Sequence, residues 1–189
     1  MRTVAADGYD EPRDALAQLW PQFLAAALPN ADWLFVPSLG AMETSAYCER
    51  WGINGLILTG GEDVGTSPLR DRSEHALLVW AAEKSLPLLG VCRGMQLMST
   101  ASGAGLSRVS GHVAVRHCLH GDYDWEVNSY HTATLAEVPK QYRVLAKAPD
   151  GSIEAIRHDT LPWEGWMWHP EREAPYSSND ICEIRRMFQ

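Results

Sequence analysis

The sequence predicts an α/β sandwich, with a mostly parallel central sheet, helices on both faces and a C-terminal antiparallel extension. Three observations lead there. Short apolar runs alternate with segments of helical period, the pattern of strands joined by crossover helices. From residue 113 onward the pattern changes to shorter strand-like runs separated by turn signals such as HGDYD and APDGS. The length, 189 residues, suits one domain (residues 1–189) with a good core better than it suits two.

In chain order, TVAA (3–6), WLFVP (33–37), GLILTGG (55–61) and PLLGVC (87–92) read as buried strands. Helices are predicted over residues 13–28, 44–51 and 71–85, and a final one over 178–188. The third carries Leu77, Leu78 and Ala81 on one side and Glu83 and Lys84 near its end, an amphipathic arrangement. Pro21 predicts a kink or break in the first. Repeats, linkers and low-complexity segments are absent from the sequence.

Composition narrows the class of function. Hydrophobic content of 46% and charged content of 21% are ordinary for a globular chain, and no apolar run is long enough to span a bilayer. The N-terminal MRTVAADGYDEPRD has no long apolar region of the signal-peptide kind, which predicts a cytoplasmic protein without a membrane partner. A net charge of -8 argues against a nucleic-acid partner, whose backbone calls for a basic face. Cys48, Cys92, Cys118 and Cys182 lack metal-like spacing and read as thiols of a reducing compartment.

The segment LPLLGVCRGMQLM (86–98) carries the most chemistry. If residues 87–91 form a buried strand and a helix starts at Arg93, Cys92 sits on the sharp turn between them. A side chain there is pushed out at the carboxyl edge of the sheet, where open α/β sheets bind ligands, and Gly94 gives the turn room. The helix N-terminus favours thiolate and predicts a lowered pKa, while the Arg93 backbone N–H can donate to an oxyanion. A lone cysteine is also commonly just a small buried apolar residue. In GWMWHPERE (165–173), His169 and Glu171 stand two apart, so that in extended chain both face one way and Glu171 can orient His169 toward a thiol. By itself that tripeptide could equally be a surface loop. In LTGGEDVG (58–65), adjacent glycines allow close approach to a ligand, making Gly61 a candidate second oxyanion donor, although an ordinary strand-end turn has the same composition.

Together with RDAL (13–16), Trp20, RDRSEHALL, GHVAVRH, VNSYHT and LAKAPDGSIEAIRH, these motifs in this order resemble the class I glutamine amidotransferase superfamily. More narrowly, the chain resembles the gamma-glutamyl hydrolase branch of cysteine peptidases. Its short length and early RDALAQLW are most similar to bacterial gamma-glutamyl-CDP-amidate hydrolases of capsule phosphoramidate synthesis. The resemblance implies a flavodoxin-like fold, a gamma-glutamyl amide substrate cleaved through a thioester, and no cofactor. It implies Cys92 as nucleophile, His169 as base and then acid, Glu171 as its orienting group, and the N–H groups of Gly61 and Arg93 as oxyanion hole. Gly60, Gln96 and the loop Asn128, Ser129, Tyr130 and His131 are implied to hold the glutamyl end. A glutaminase component of a two-protein amidotransferase, or a hydrolase of another gamma-glutamyl amine such as gamma-glutamyl-GABA, fits the same motifs. A homodimer is compatible with them.

His112, His117 and His120, with Cys118 and Asp122, suggest a metal cluster, but their spacing matches no standard zinc pattern, so no metal is predicted. His112 and His117 are read instead as candidate contacts to the leaving group.

Overall fold

The structure is a computed structural model, and it describes residues 1–6, 8 and 10–189. The chain opens with a hairpin of β1 (Arg2–Ala5) and β2 (Pro12–Ala15), followed by α1 (Leu19–Ala27) and α2 (Ala41–Arg50). Then come β3 (Leu56–Leu58), α3 (Pro68–Glu83), β4 (Leu88–Val91) and α4 (Arg93–Ala101). Five short strands follow: β5 (Leu106–Arg108), β6 (Val113–Cys118), β7 (His120–Gly121), β8 (Glu126–Tyr130) and β9 (Ala133–Leu135). The chain closes with β10 (Tyr142–Lys147), β11 (Ile153–His158), β12 (Trp163–Trp166), a 3₁₀ turn at Pro170–Arg172 and α5 (Ser178–Phe188).

The central sheet has six strands in the order β3-β4-β12-β11-β10-β7. It is mixed rather than mostly parallel: β3, β4 and β12 run parallel, while β12-β11, β11-β10 and β10-β7 are antiparallel. The reason lies in the connections. The APDGS turn joins β10 to β11 directly, and a hairpin needs no crossover helix. The antiparallel extension is only partly in this sheet, because β5-β9 and β6-β8 form separate two-stranded ladders.

Alternation along the strands fills both faces. Leu56, Leu58, Leu88, Trp163 and Met167 pack with α3 and α4 residues such as Leu77, Leu78, Ala81, Met95 and Met98. Leu89, Val91, Ala155, Trp166 and Trp168 pack on the other side with Trp20, Phe23 and Ala27 of α1 and Ile184 of α5.

Three expected elements differ. The strand at 3–6 lies outside the central sheet, in the hairpin with β2 that also replaces the start of the expected first helix. That helix begins at Leu19, so Pro21 falls in its first turn, where a missing N–H costs no intrahelical bond. Residues 33–37 form no strand, and Trp33, Leu34 and Phe35 are exposed. Tyr47 donates to the Phe35 carbonyl at 3.4 Å, and just past the run Asp14 accepts from the Ser38 N–H and hydroxyl. The final helix matches its expected span, with Ser177 as N-cap accepting from the Asp180 N–H at 3.4 Å.

α4 presses onto the sheet at glycines. A Cβ on Gly94 would collide with the Leu58 carbonyl oxygen, one on Gly90 would lie 2.7 Å from the Gly94 carbonyl carbon, and one on Gly165 would lie 2.7 Å from Met95 Cγ. The first two obstacles are backbone and cannot rotate away. Gly94→Ala is therefore expected to destabilise the fold by about 3 kcal/mol, at the upper end for overpacking. A urea midpoint shift measures it, and an unchanged midpoint would contradict this packing.

Candidate active site

The three parallel strands end at one edge of the sheet, and that edge assembles the site. In the register, Trp166 lies beside Val91, and the Cys92 N–H donates to the Trp166 carbonyl at 2.7 Å. The continuation of β12 thus carries Trp168 and His169 past Cys92, while β3 leads into Thr59, Gly60 and Gly61. A cavity of about 250 Å³ opens there, lined by Thr59, Gly60, Gly61, Cys92, Tyr130, His169, Glu171 and Arg172 and roofed by Arg2 and Ala15 to Ala17 around the N-terminal hairpin.

Cys92 has φ 51° and ψ −104°, a left-handed backbone that a non-glycine residue adopts at a cost of about 1–3 kcal/mol. This is the strand-to-helix elbow the sequence predicts, and Gln96 N–H continues the helix from the Cys92 carbonyl at 3.1 Å. The thiol differs from expectation. Burial pushes it up to about 12, against the Arg93 backbone N–H bonded to it and the Arg172 charge, which both act to lower it. Desolvation wins over the helix terminus, so the resting group is a thiol.

His169 is buried, and its Nδ1 lies 2.8 Å from Glu171 Oε1. A carboxylate accepts, so the ring carries its proton on Nδ1 and leaves Nε2 as a base. Glu171 reaches back through the 3₁₀ turn rather than along extended chain, the geometry that the i, i+2 spacing predicted. Its Oε2 is buried without a hydrogen-bond partner among the described residues. Gly60 makes room for the imidazole, since a Cβ there would lie 2.6 Å from His169 Cε1. The Tyr130 ring stands edge-on to His169 at 6.0 Å, and Arg172 lies over the Tyr130 face at 4.6 Å.

Arg70 and Arg93 are both fully buried. Arg70 donates to Glu74 at 2.8 Å, to Glu62 at 3.0 Å and to the Thr59 carbonyl at 2.8 Å, and Arg93 pairs with Glu74 and Asp71. Because Arg70 also meets the Gly60 carbonyl at 3.4 Å, the Gly61 N–H, anti to it across the same peptide plane, faces the opposite way.

Of the residues expected to hold a glutamyl end, Gly60 and Tyr130 line the cavity and four do not. Gln96 donates to the Ala133 carbonyl at 3.0 Å. Asn128 holds the backbone of His169 at both ends, donating to its carbonyl at 2.8 Å and accepting from its N–H at 3.0 Å. Ser129 donates to the His112 carbonyl at 2.8 Å, and His131 faces Glu154. Nor do His112 and His117 reach the cavity wall. The sequence reading missed Arg2, Thr59, Trp20 and Arg172 as cavity residues. Arg172 had a signal, since it directly follows Glu171.

The class-I glutamine amidotransferase family model matches residues 36–183. The chain belongs to that family. It is 28% identical over 195 residues to a gamma-glutamyl-CDP-amidate hydrolase of Campylobacter jejuni, with 99% of this chain and 94% of the relative covered. A gamma-glutamyl-gamma-aminobutyrate hydrolase of Shigella flexneri is 26% identical, covering 93% of this chain and 75% of the relative. A solved structure of a GMP synthase component from Thermoplasma acidophilum aligns with TM-score 0.70 at 18% identity, covering 90% of this chain and 85% of that one, so the α/β amidotransferase fold is shared. Among the described residues, no helix is long and apolar enough to cross a membrane.

The raised thiol pKa fixes a pH response. Below about 12 the thiolate fraction rises about tenfold per pH unit, so iodoacetamide labelling of Cys92 should still be climbing from pH 9 to 11, where an ordinary thiol of about 8.5 has levelled off. A plateau below pH 8 would instead reveal a preformed thiolate.

Proposed function

We propose that this chain is a cysteine-dependent hydrolase of gamma-glutamyl amide bonds, working through a thioester on Cys92 and releasing glutamate. The observation that carries the reading is one cavity holding the elbow cysteine, the buried His169–Glu171 pair and the glycine turn. Similarity over almost the full length to a gamma-glutamyl-CDP-amidate hydrolase supports the substrate class and favours a nucleotide phosphoramidate as leaving group.

In this mechanism His169 Nε2 takes the proton of the buried thiol as sulfur attacks the γ-carbonyl. The Arg93 N–H, already bonded to that sulfur, and the Gly61 N–H receive the developing oxyanion. His169 then passes its proton to the departing nitrogen, and a water deprotonated by the same imidazole nitrogen opens the thioester. Glu171 stabilises the imidazolium by keeping its hydrogen bond to Nδ1. At about 250 Å³ the cavity is at the small end for ligand sites, so it takes the glutamyl end and leaves the amine portion at its mouth. Arg2 and Arg172 are its cationic side chains, suited to the glutamyl α-carboxylate.

The test is mass spectrometry of products from gamma-glutamyl-CDP-amidate, gamma-glutamyl-GABA and glutamine. Hydrolysis of one of the first two without any added protein supports the reading. Turnover of glutamine alone would replace it with a glutaminase component of a larger synthetase. Cys92→Ala and His169→Ala should each lose at least about 10⁴-fold in kcat, whereas Glu171→Gln should lose about two orders of magnitude less. Arg172→Gln should raise KM about tenfold with kcat nearly kept, as expected for one lost bond to a charged group. Full turnover by Cys92→Ala sinks the mechanism.

A further inference from the structure

A second constellation lies apart from the cavity. His112 precedes β6, His131 follows β8 and Glu154 lies in β11, yet their side chains converge in the interior. His112 Nδ1 and His131 Nε2 are 3.2 Å apart, and Glu154 Oε1 is 3.4 Å from the first and 3.2 Å from the second. All three residues are at least nine-tenths buried, and among the described residues no donor is well aligned with either Glu154 oxygen, although His131 and His117 face them at 3.2 and 3.6 Å.

The protons on these rings are assigned by what lies behind them. His131 Nδ1 is 3.1 Å from the Ala133 carbonyl, which can only accept, so that nitrogen carries hydrogen. His112 Nε2 is 2.9 Å from Asp150 Oδ2, and the other oxygen of Asp150 accepts from the Ser152 N–H at 2.9 Å. A carboxylate only accepts, so His112 carries its hydrogen on Nε2. Each ring thus keeps a hydrogen on the side away from the cluster, so His112 Nδ1, His131 Nε2 and Glu154 Oε1 face one another as an acceptor-rich group that a shared proton or a cation can bridge.

We propose that His112 Nδ1, His131 Nε2 and Glu154 Oε1 form a structural site for a divalent transition cation of the zinc class. Two features beyond burial support it. A tetrahedral metal with bonds of about 2.0–2.1 Å has ligand atoms about 3.3 Å apart, and the three measured edges sit on that value. Both imidazoles also have the outward partner, one carbonyl and one carboxylate, that orients metal-binding histidines. His117 Nε2, buried and 3.6 Å from Glu154 Oε2, stands on the carboxylate's far side. The sequence reading grouped His112 and His117 with Cys118, His120 and Asp122; the fold substitutes His131 and Glu154 for these.

Bound there, the cation would pin the β6-β8 ladder to the central sheet. The probe is Co²⁺ or Zn²⁺ added to chelator-treated, tag-free Cys92→Ala protein, which removes the cavity thiol as a competing ligand. One equivalent of Co²⁺ should bind with the visible absorption of a tetrahedral N/O site, and Zn²⁺ should raise Tm. In the same background Glu154→Gln should weaken Zn²⁺ at least about tenfold, and His131→Ala should abolish the cobalt band. No band and no melting shift in the parent protein would overturn the proposal and leave a shared proton as the cluster's charge. A band unchanged in Glu154→Gln would overturn it as well, placing the metal on other ligands.

Discussion

The site depends on one strained peptide, the left-handed backbone at Cys92. Such a conformation persists only where its surroundings over-determine it. Here the N–H of Cys92 is fixed to β12, its carbonyl starts α4, and α4 lies against the sheet at Gly90, Gly94 and Gly165, where no side chain could fit. The core therefore does more than stabilise. By forcing α4 to begin immediately after β4, it aims the sulfur into the cavity rather than into the sheet.

Around that elbow lies a buried ionic network whose energetic case is weak if counted as stability alone. Arg70 and Arg93 share Glu74 and divide Glu62 and Asp71 between them. Taking these charges out of water costs several kcal/mol per ion, and well-packed apolar residues often serve as well. What apolar residues could not do is bind the carbonyls of Thr59 and Gly60. The network ties the glycine turn to the helix that follows Cys92, so the N–H groups of Gly61 and Arg93, from two strand ends, keep one relative position. Precision at the site is its physical justification.

The legible parts of the sequence were those where local pattern and tertiary demand coincide. PLLGVC followed by RGMQLM could be read because a fully buried strand and an amphipathic helix meet at a glycine-spaced turn, and HPE could be read because pairing requires so short a span. WLFVP was misread because apolar composition does not say whether a ladder partner exists; its Phe35 carbonyl is met instead by the Tyr47 hydroxyl, twelve residues on. The parallel character of the sheet was overestimated for a related reason: β12 is parallel to β4 although hairpins, not crossovers, fill most of the chain between them. Asn128 and His131 illustrate the deeper limit. They belong to one short motif, yet one side chain holds His169 and the other faces Glu154, and only the placement of β8 between those two neighbours separates their tasks.

That placement makes the β6-β8 ladder a shared support. At Asn128 it fixes both backbone polar groups of His169, and Glu173, itself bound by Arg116 of β6, accepts from the Asn128 amide at 2.7 Å. At its other end His112 and His131 meet Glu154 on the central sheet, and the Ala133 carbonyl takes bonds from both His131 and Gln96 of α4. His169 and Cys92 are thus connected twice: as walls of one cavity, and behind it through β8, Ala133 and the helix that starts after Cys92. A ladder of two strands is marginal by itself. Its ability to hold His169 rigidly then rests on how firmly its far end is attached to β11, which places the histidine cluster among the determinants of geometry at a site it does not touch.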